Sequence, residues 1–136
     1  MSTAAATIGI TAALALAAGP ASAYSGTHLN GWADHCDYTA SSYGDGCLYY
    51  SQNGGGYIFD AIGYFSDLSG YGFTANVPVR NDAASIGNHT LNCGSTTWVY
   101  VHAGGDWNWV SAGRGGNLTT GLRNNEASFD ADANCS

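Results

Sequence analysis

Val79-Arg80-Asn81-Asp82-Ala83-Ala84-Ser85-Ile86 and Leu122-Arg123-Asn124-Asn125-Glu126-Ala127-Ser128-Phe129 are one pattern written twice. Each string runs apolar, Arg, Asn, acid or amide, a variable residue, Ala, Ser, apolar. A match of this length within one chain marks an internal duplication. Working back from it, Asp67-Leu68 aligns with Asn117-Leu118, and the turn Gly54-Gly55-Gly56 aligns with Gly104-Gly105. Aromatics follow both turns, Tyr57-Ile58-Phe59 and Trp107-Asn108-Trp109, and Leu48-Tyr49-Tyr50 then falls against Val99-Tyr100-Val101. The copies span about 47–89 and 98–132, and the first carries an insertion between Leu68 and Val79.

Each copy reads as strands. The runs at 48–50 and 98–102 are short, β-branched and aromatic, and end in glycine turns. Tyr57–Phe59 and Trp107–Val110 alternate as half-buried strands do. Apolar residues at helical spacing are sustained nowhere downstream of the leader, and the strongest helical stretch is Asp60–Leu68, expected as a single turn or an irregular bridge. Short strands, two copies and Gly/Asn punctuation predict an all-β sandwich of two Greek-key motifs.

The 136 residues divide into three parts. Residues 1–23 read as a secretory signal peptide: an apolar stretch from Ile8 to Ala18, then Gly19-Pro20, then the small-residue box Ala21-Ser22-Ala23. Residues 24–46 form an N-terminal arm, and 47–136 the two-motif domain. Ten acids against three arginines, with no lysine, give a net charge of −7. That balance excludes nucleic acid, whose affinity comes from phosphate neutralisation, and disfavours an anionic membrane surface. Low charge and abundant Tyr, Trp and Val argue against disorder. A secreted monomer is expected. Cys36, Cys47, Cys93 and Cys135 imply two disulfides with three connectivities, of which Cys36–Cys47 with Cys93–Cys135 is favoured.

A tyrosine-bearing first strand, a glycine-rich hairpin followed by aromatics, and then Asn81-Asp82 running to Ser85-Ile86 resemble a βγ-crystallin motif. Two such motifs, a cysteine shortly before Cys47-Leu48-Tyr49 and a secretory leader resemble the small secreted Streptomyces metalloproteinase inhibitor family. The resemblance covers about residues 47–132. It implies a non-enzymatic inhibitor of an extracellular peptidase. Two alternatives stand beside it: a calcium-binding extracellular structural module, and a toxin-like or antimicrobial secreted protein.

By the same resemblance, Asn81, Asp82 and Ser85, with Asn124, Asn125 and Ser128, are the candidate calcium ligands. Calcium takes six to eight oxygens, which suits Asn, Asp and Ser beside free carbonyls. Two registers are open. In one, Ser85 and Ser128 supply the ligand hydroxyl; in the other, Ala84 and Ala127 hold that position and the serines are structural. No cofactor is required in either. A separate candidate is the insertion Ser69–Pro78, where Tyr71 and Phe73 sit on an uncharged, glycine-rich loop suited to binding a partner, or to covering a sheet edge. Catalysis has no motif to stand on. His28, His35, His89 and His102 are scattered, and neither a nucleophile elbow nor a phosphate loop is present. The strand tryptophans Trp98, Trp107 and Trp109 read first as core and sheet-face packing.

Overall fold

A computed structural model describes residues 24–33, 36 and 45–133, which hold twelve strands. Copy 1 contributes β3 (Asp45–Ser51), β4 (Gly55–Ile62), β5 (Tyr64–Phe65) and β8 (Ser85–Asn88), with a hairpin of β6 (Gly72–Thr74) and β7 (Val77–Pro78) between β5 and β8. Copy 2 contributes β9 (Gly94–Tyr100), β10 (Gly104–Val110), β11 (Arg114–Asn117) and β12 (Ser128–Ala133). The arm supplies β1 (Gly26–Leu29) and β2 (Trp32–Ala33).

Ten of these strands form two five-stranded sheets, β1-β10-β9-β12-β5 and β2-β11-β8-β3-β4, and β6 pairs only with β7. Each copy keeps its first, second and fourth strands in one sheet and lends its third to the other. Thus β5 of copy 1 pairs with β12, and β11 of copy 2 pairs with β8. Neither copy closes its sheet alone, so the sandwich forms as one unit. The arm is woven into both sheets, with β1 running parallel to β10 and β2 antiparallel to β11.

Inward positions on the two sheets meet in one core. Leu48, Ile86, Val79 and Leu68 from copy 1 pack against Val110 and Phe129 from copy 2, all fully buried. The alternation that puts these side chains inward turns their neighbours outward.

Two details differ from the expectations. Asp60–Leu68 is not helical: β4 continues to Ile62, Gly63 bends the chain at φ 87°, and β5 follows. The bend lets Phe65 turn inward beside Phe59 and Phe129 while the chain crosses to the second sheet. The first-strand alignment also slips by two residues. The amide of Ala84 donates to the carbonyl of Tyr49 (2.8 Å), and that of Ala127 to the carbonyl of Trp98 (2.9 Å), so Tyr49 is equivalent to Trp98. The Leu68 and Leu118 alignment stands, since their amides donate to the carbonyls of Ala127 and Ala84 respectively.

Cys36 is bonded to Cys47, as expected. Cys93 is also disulfide-bonded. Cys135, like the leader and His35, lies outside the described residues.

Candidate functional site

The outer face of the β1-β10-β9-β12-β5 sheet carries a row of side chains set by strand register. His28 lies opposite Trp109, Trp109 opposite Thr96, Thr96 opposite Asp130, and Asp130 opposite Tyr64. At a strand spacing of about 4.8 Å, the row runs roughly 19 Å across the sheet. Trp107 and Trp98 face each other in the next row. Together they wall a groove of about 720 Å³ open on the surface.

Two glycines seat the indoles. A Cβ on Gly94 would collide with the Trp109 ring, and one on Gly26 with the Trp107 ring. Both rings therefore lie back over bare backbone on neighbouring strands. His28 leans on both, with ring centroids 4.6 Å from Trp109 and 5.6 Å from Trp107. At the other end Tyr64 meets Trp98 edge-on at 6.4 Å and remains half exposed.

The polarity of β10 is inverted to achieve this. Asn108, between the two tryptophans, is the buried residue, 1% exposed. Its Oδ1 accepts from the Thr119 amide (2.9 Å) and its Nδ2 donates to the Trp107 carbonyl (3.0 Å). A satisfied buried amide of this kind costs little and fixes the strand. Asn88 does similar work at the groove's end, with Nδ2 donating to the carbonyls of Cys93 and Val110. The aromatic face is thus built on a rigid frame.

Asp130 is the groove's carboxylate. Burial pushes its carboxyl up from the usual range; the Asp132 amide, donating at 3.3 Å, offsets part of this, while the Asp132 charge adds to the rise. Arginine is missing from the groove lining, and the chain has no lysine.

The two Asn-rich strings meet each other, and the second reaches the edge of the groove, where Ser128 lies opposite Trp98. Ser85 Oγ donates to the Ser51 carbonyl (2.6 Å) and accepts from the Gly54 amide (3.0 Å). Ser128 Oγ repeats this with the Tyr100 carbonyl (2.6 Å) and the Ala103 amide (3.1 Å). Both hydroxyls lock the folded hairpins, where Gly56 and Gly105 adopt φ 74° and 80°. The alanines before the two serines, Ala84 and Ala127, carry no side-chain oxygen. Asn81 and Asn124 sit in left-handed turns at φ 65° and 57°. Their amides donate to the carbonyls of Glu126 and Ala83, binding the strings to each other. Asp82 and Asn125 enter the same junction through their backbone amides.

Within the second string Glu126 is fully buried, its side chain turned to the junction with the first. Its Oε1 accepts from the amides of Asp82 (3.1 Å) and Ala83 (2.9 Å), and its Oε2 from that of Asn125 (3.1 Å). Burial raises its carboxyl to about 7 despite these donors. The equivalent residue in copy 1 is Ala83, so one carboxylate serves the amides of both strings.

Tyr71 and Phe73 hold the insertion to the sandwich. Tyr71 packs edge-on against Phe65 (5.0 Å) and Phe59 (5.8 Å), and Phe73 against Tyr50 (5.9 Å). Tyr71 nevertheless remains 45% exposed, and the tip from Thr74 to Asn76 is open to solvent. His89 and His102 are not among the side chains lining the groove. Among the described residues no group of three or more His, Cys, Asp or Glu is arranged to hold a metal ion.

The groove itself is not among the sites read from the sequence. Its signal was the Trp107-Asn108-Trp109 triplet, combined with glycines at positions 26 and 94 that only strand register brings beneath the indoles.

Neither a protein-family model nor a curated protein matches the chain. A solved structure described as "Evolution of the eye lens beta-gamma-crystallin domain fold" is similar over 69% of this chain and 90% of its own, with a TM-score of 0.53 and 18% identity. The likeness establishes the βγ-crystallin domain fold. It does not extend to the metalloproteinase inhibitor family.

Proposed function

We propose that this chain is a secreted, non-enzymatic binding protein whose ligand is a saccharide held on the aromatic face of the β1-β10-β9-β12-β5 sheet. The observation that carries this reading is the cross-strand row His28–Trp109–Thr96–Asp130–Tyr64, flanked by Trp107 and Trp98. Sugar rings present flat C–H faces that stack on indoles, while their hydroxyls need hydrogen-bonding groups at the edges. The groove offers both kinds of contact in one place, as binding sites do when a few polar groups orient a largely apolar cleft. A rigid sheet lowers the ordering cost of binding. Calcium has no role in this reading, since the serine hydroxyls are engaged by the hairpins.

The test is retention on insoluble polysaccharides, followed by tryptophan fluorescence with soluble oligomers. Trp109→Ala should abolish both signals in a protein that still melts cooperatively. A panel of polysaccharides that leaves the fluorescence unchanged would remove the saccharide reading.

Inhibition of an extracellular peptidase is the second reading, favoured by the β6–β7 hairpin. Its exposed tip stands on aromatic anchors, the arrangement a protease cleft requires of a loop that resists cleavage. Assays against secreted metallo- and serine peptidases test it, with Tyr71→Ala and Phe73→Ala as controls. Undiminished inhibition in a variant shortened across 69–78 would exclude the hairpin.

A further inference from the structure

We infer that the groove selects polysaccharides that carry free amino groups, with hexosamine rings on the tryptophans and an ammonium group against Asp130 and Asp132. The inference rests on the saccharide reading above and names the class of saccharide.

Charge decides between saccharide classes. A polysaccharide bearing uronate, sulfate or phosphate would bring its anions to a groove lined by the Asp130 carboxylate, with Asp132 close enough to act on it and, among the described residues, no basic side chain except His28. On a protein of net charge −7 that encounter is unfavourable. A neutral glycan gains the stacking but leaves Asp130 covered by the ligand without a cation, which costs its desolvation. An ammonium group supplies a positive charge opposite Asp130. It also relieves the repulsion between Asp130 and Asp132, and it is attracted to the faces of nearby aromatic rings.

Spacing agrees with this. Asp130 lies two strands from Trp109 in the same row, about 10 Å away, with the small Thr96 between them. A ring stacked on Trp109 therefore leaves room for the next unit of the chain to direct its amine toward Asp130. His28 stands a further strand away, at the far end of the row from the amine site.

The experiment titrates the full secreted chain with soluble oligomers of glucosamine, N-acetylglucosamine and glucose, near pH 6 in moderate salt, following tryptophan fluorescence and calorimetry. The glucosamine oligomer should bind about ten-fold or more tighter than the others, the size of one charge-assisted hydrogen bond. Asp130→Asn with Asp132→Asn should erase that preference and leave the weaker stacking affinity in place. Trp109→Ala should remove binding of all three, and Trp107→Ala serves the same purpose if the first variant loses its fold. Equal affinity for glucose and glucosamine oligomers would overturn amine selection while leaving the saccharide reading standing. Silence with every oligomer would overturn both. Glucosamine binding that survives both tryptophan variants would show only attraction of a polycation to an acidic protein, and would overturn the inference as well.

Discussion

Tyr49 and Trp98 occupy equivalent positions on the first strands of the two copies, both pointing away from the core, yet Tyr49 is fully buried and Trp98 is only partly so. Over Tyr49 the arm folds a second apolar cluster. Trp32 packs edge-on against it at 5.8 Å, Cys36 is tied to Cys47 beside it, and Ile58 closes the side. Trp32 in turn lies on Gly115, just as Trp109 lies on Gly94. Around Trp98 the same devices produce the opposite outcome: the indoles rest on glycines, and the groove above them stays open. The fold can therefore cover an outer aromatic face, and among the described residues it does so once. The uncovered face of the other sheet is a feature of this sequence and not a shortage of means.

The largest expected effect breaks the comparison directly. Tyr49→Ala should destabilise the protein by about 3–5 kcal/mol, the range for deleting a fully buried aromatic. Trp98→Ala should cost about 1–2 kcal/mol, because its ring is only partly buried. Urea denaturation of the two variants measures the difference. Equal losses would mean that Trp98 is as covered as Tyr49 in solution, and the groove would lose its standing as a surface.

Next comes the cover itself. Replacing Cys36 and Cys47 by serine should lower stability by about 3 kcal/mol and expose Tyr49 to quenchers. Saccharide binding on the opposite sheet should persist. Loss of binding together with the bridge would show that the two faces are coupled through the sandwich.

A second asymmetry between the copies is electrostatic, Glu126 against Ala83. Glu126 is raised from an ordinary 4.5 to about 7, with burial as the leading cause. The folded state thus holds its proton more tightly than the unfolded chain does. The stability gained from that proton is complete below 4.5, falls as pH rises through about 7, and is gone above it. The size of the change is about 3 kcal/mol. Glu126→Gln should flatten this part of the stability profile between pH 4.5 and 8, read as the difference from the parent. A parent profile already flat in that window would mean that water reaches the carboxylate.

The duplication was legible because the Arg-Asn to Ser-apolar string repeats with its side chains intact, and those side chains have fixed duties at the junction between copies. The first strands were misaligned because Leu48, Tyr49, Val99 and Tyr100 are interchangeable as strand formers; only the carbonyls they offer to Ala84 and Ala127 set the register. The groove was hidden for a different reason. Alternation says which residues share a face but not which face is inward, and the usual preference assigns the tryptophans inward. Asn108 reverses that assignment, and its partner Thr119 comes from a different segment of copy 2. The exchange of third strands, which brings Tyr64 beside Asp130, has no local signature at all.

The smallest expected effects concern what the copies share. Ser85→Ala and Ser128→Ala each remove a hydroxyl that accepts one backbone amide and donates to one carbonyl, so each should cost about 1–3 kcal/mol. The two losses should be similar, because the bonds are similar: 2.6 and 3.0 Å at Ser85, 2.6 and 3.1 Å at Ser128. Calcium should leave the melting temperature of the parent unchanged at millimolar concentration, since a ligand stabilises only in proportion to RT ln(1 + [L]/Kd). For an ion to bind, a hydroxyl would have to leave its hairpin, and the unpaired amide left behind would offset the gain. A calcium-dependent rise of several degrees, lost in the double serine variant, would assign the serines to the ion and restore the register in which both copies carry a ligand hydroxyl. The unequal faces would then sit on equal metal sites, and the difference between the copies would be confined to what covers them.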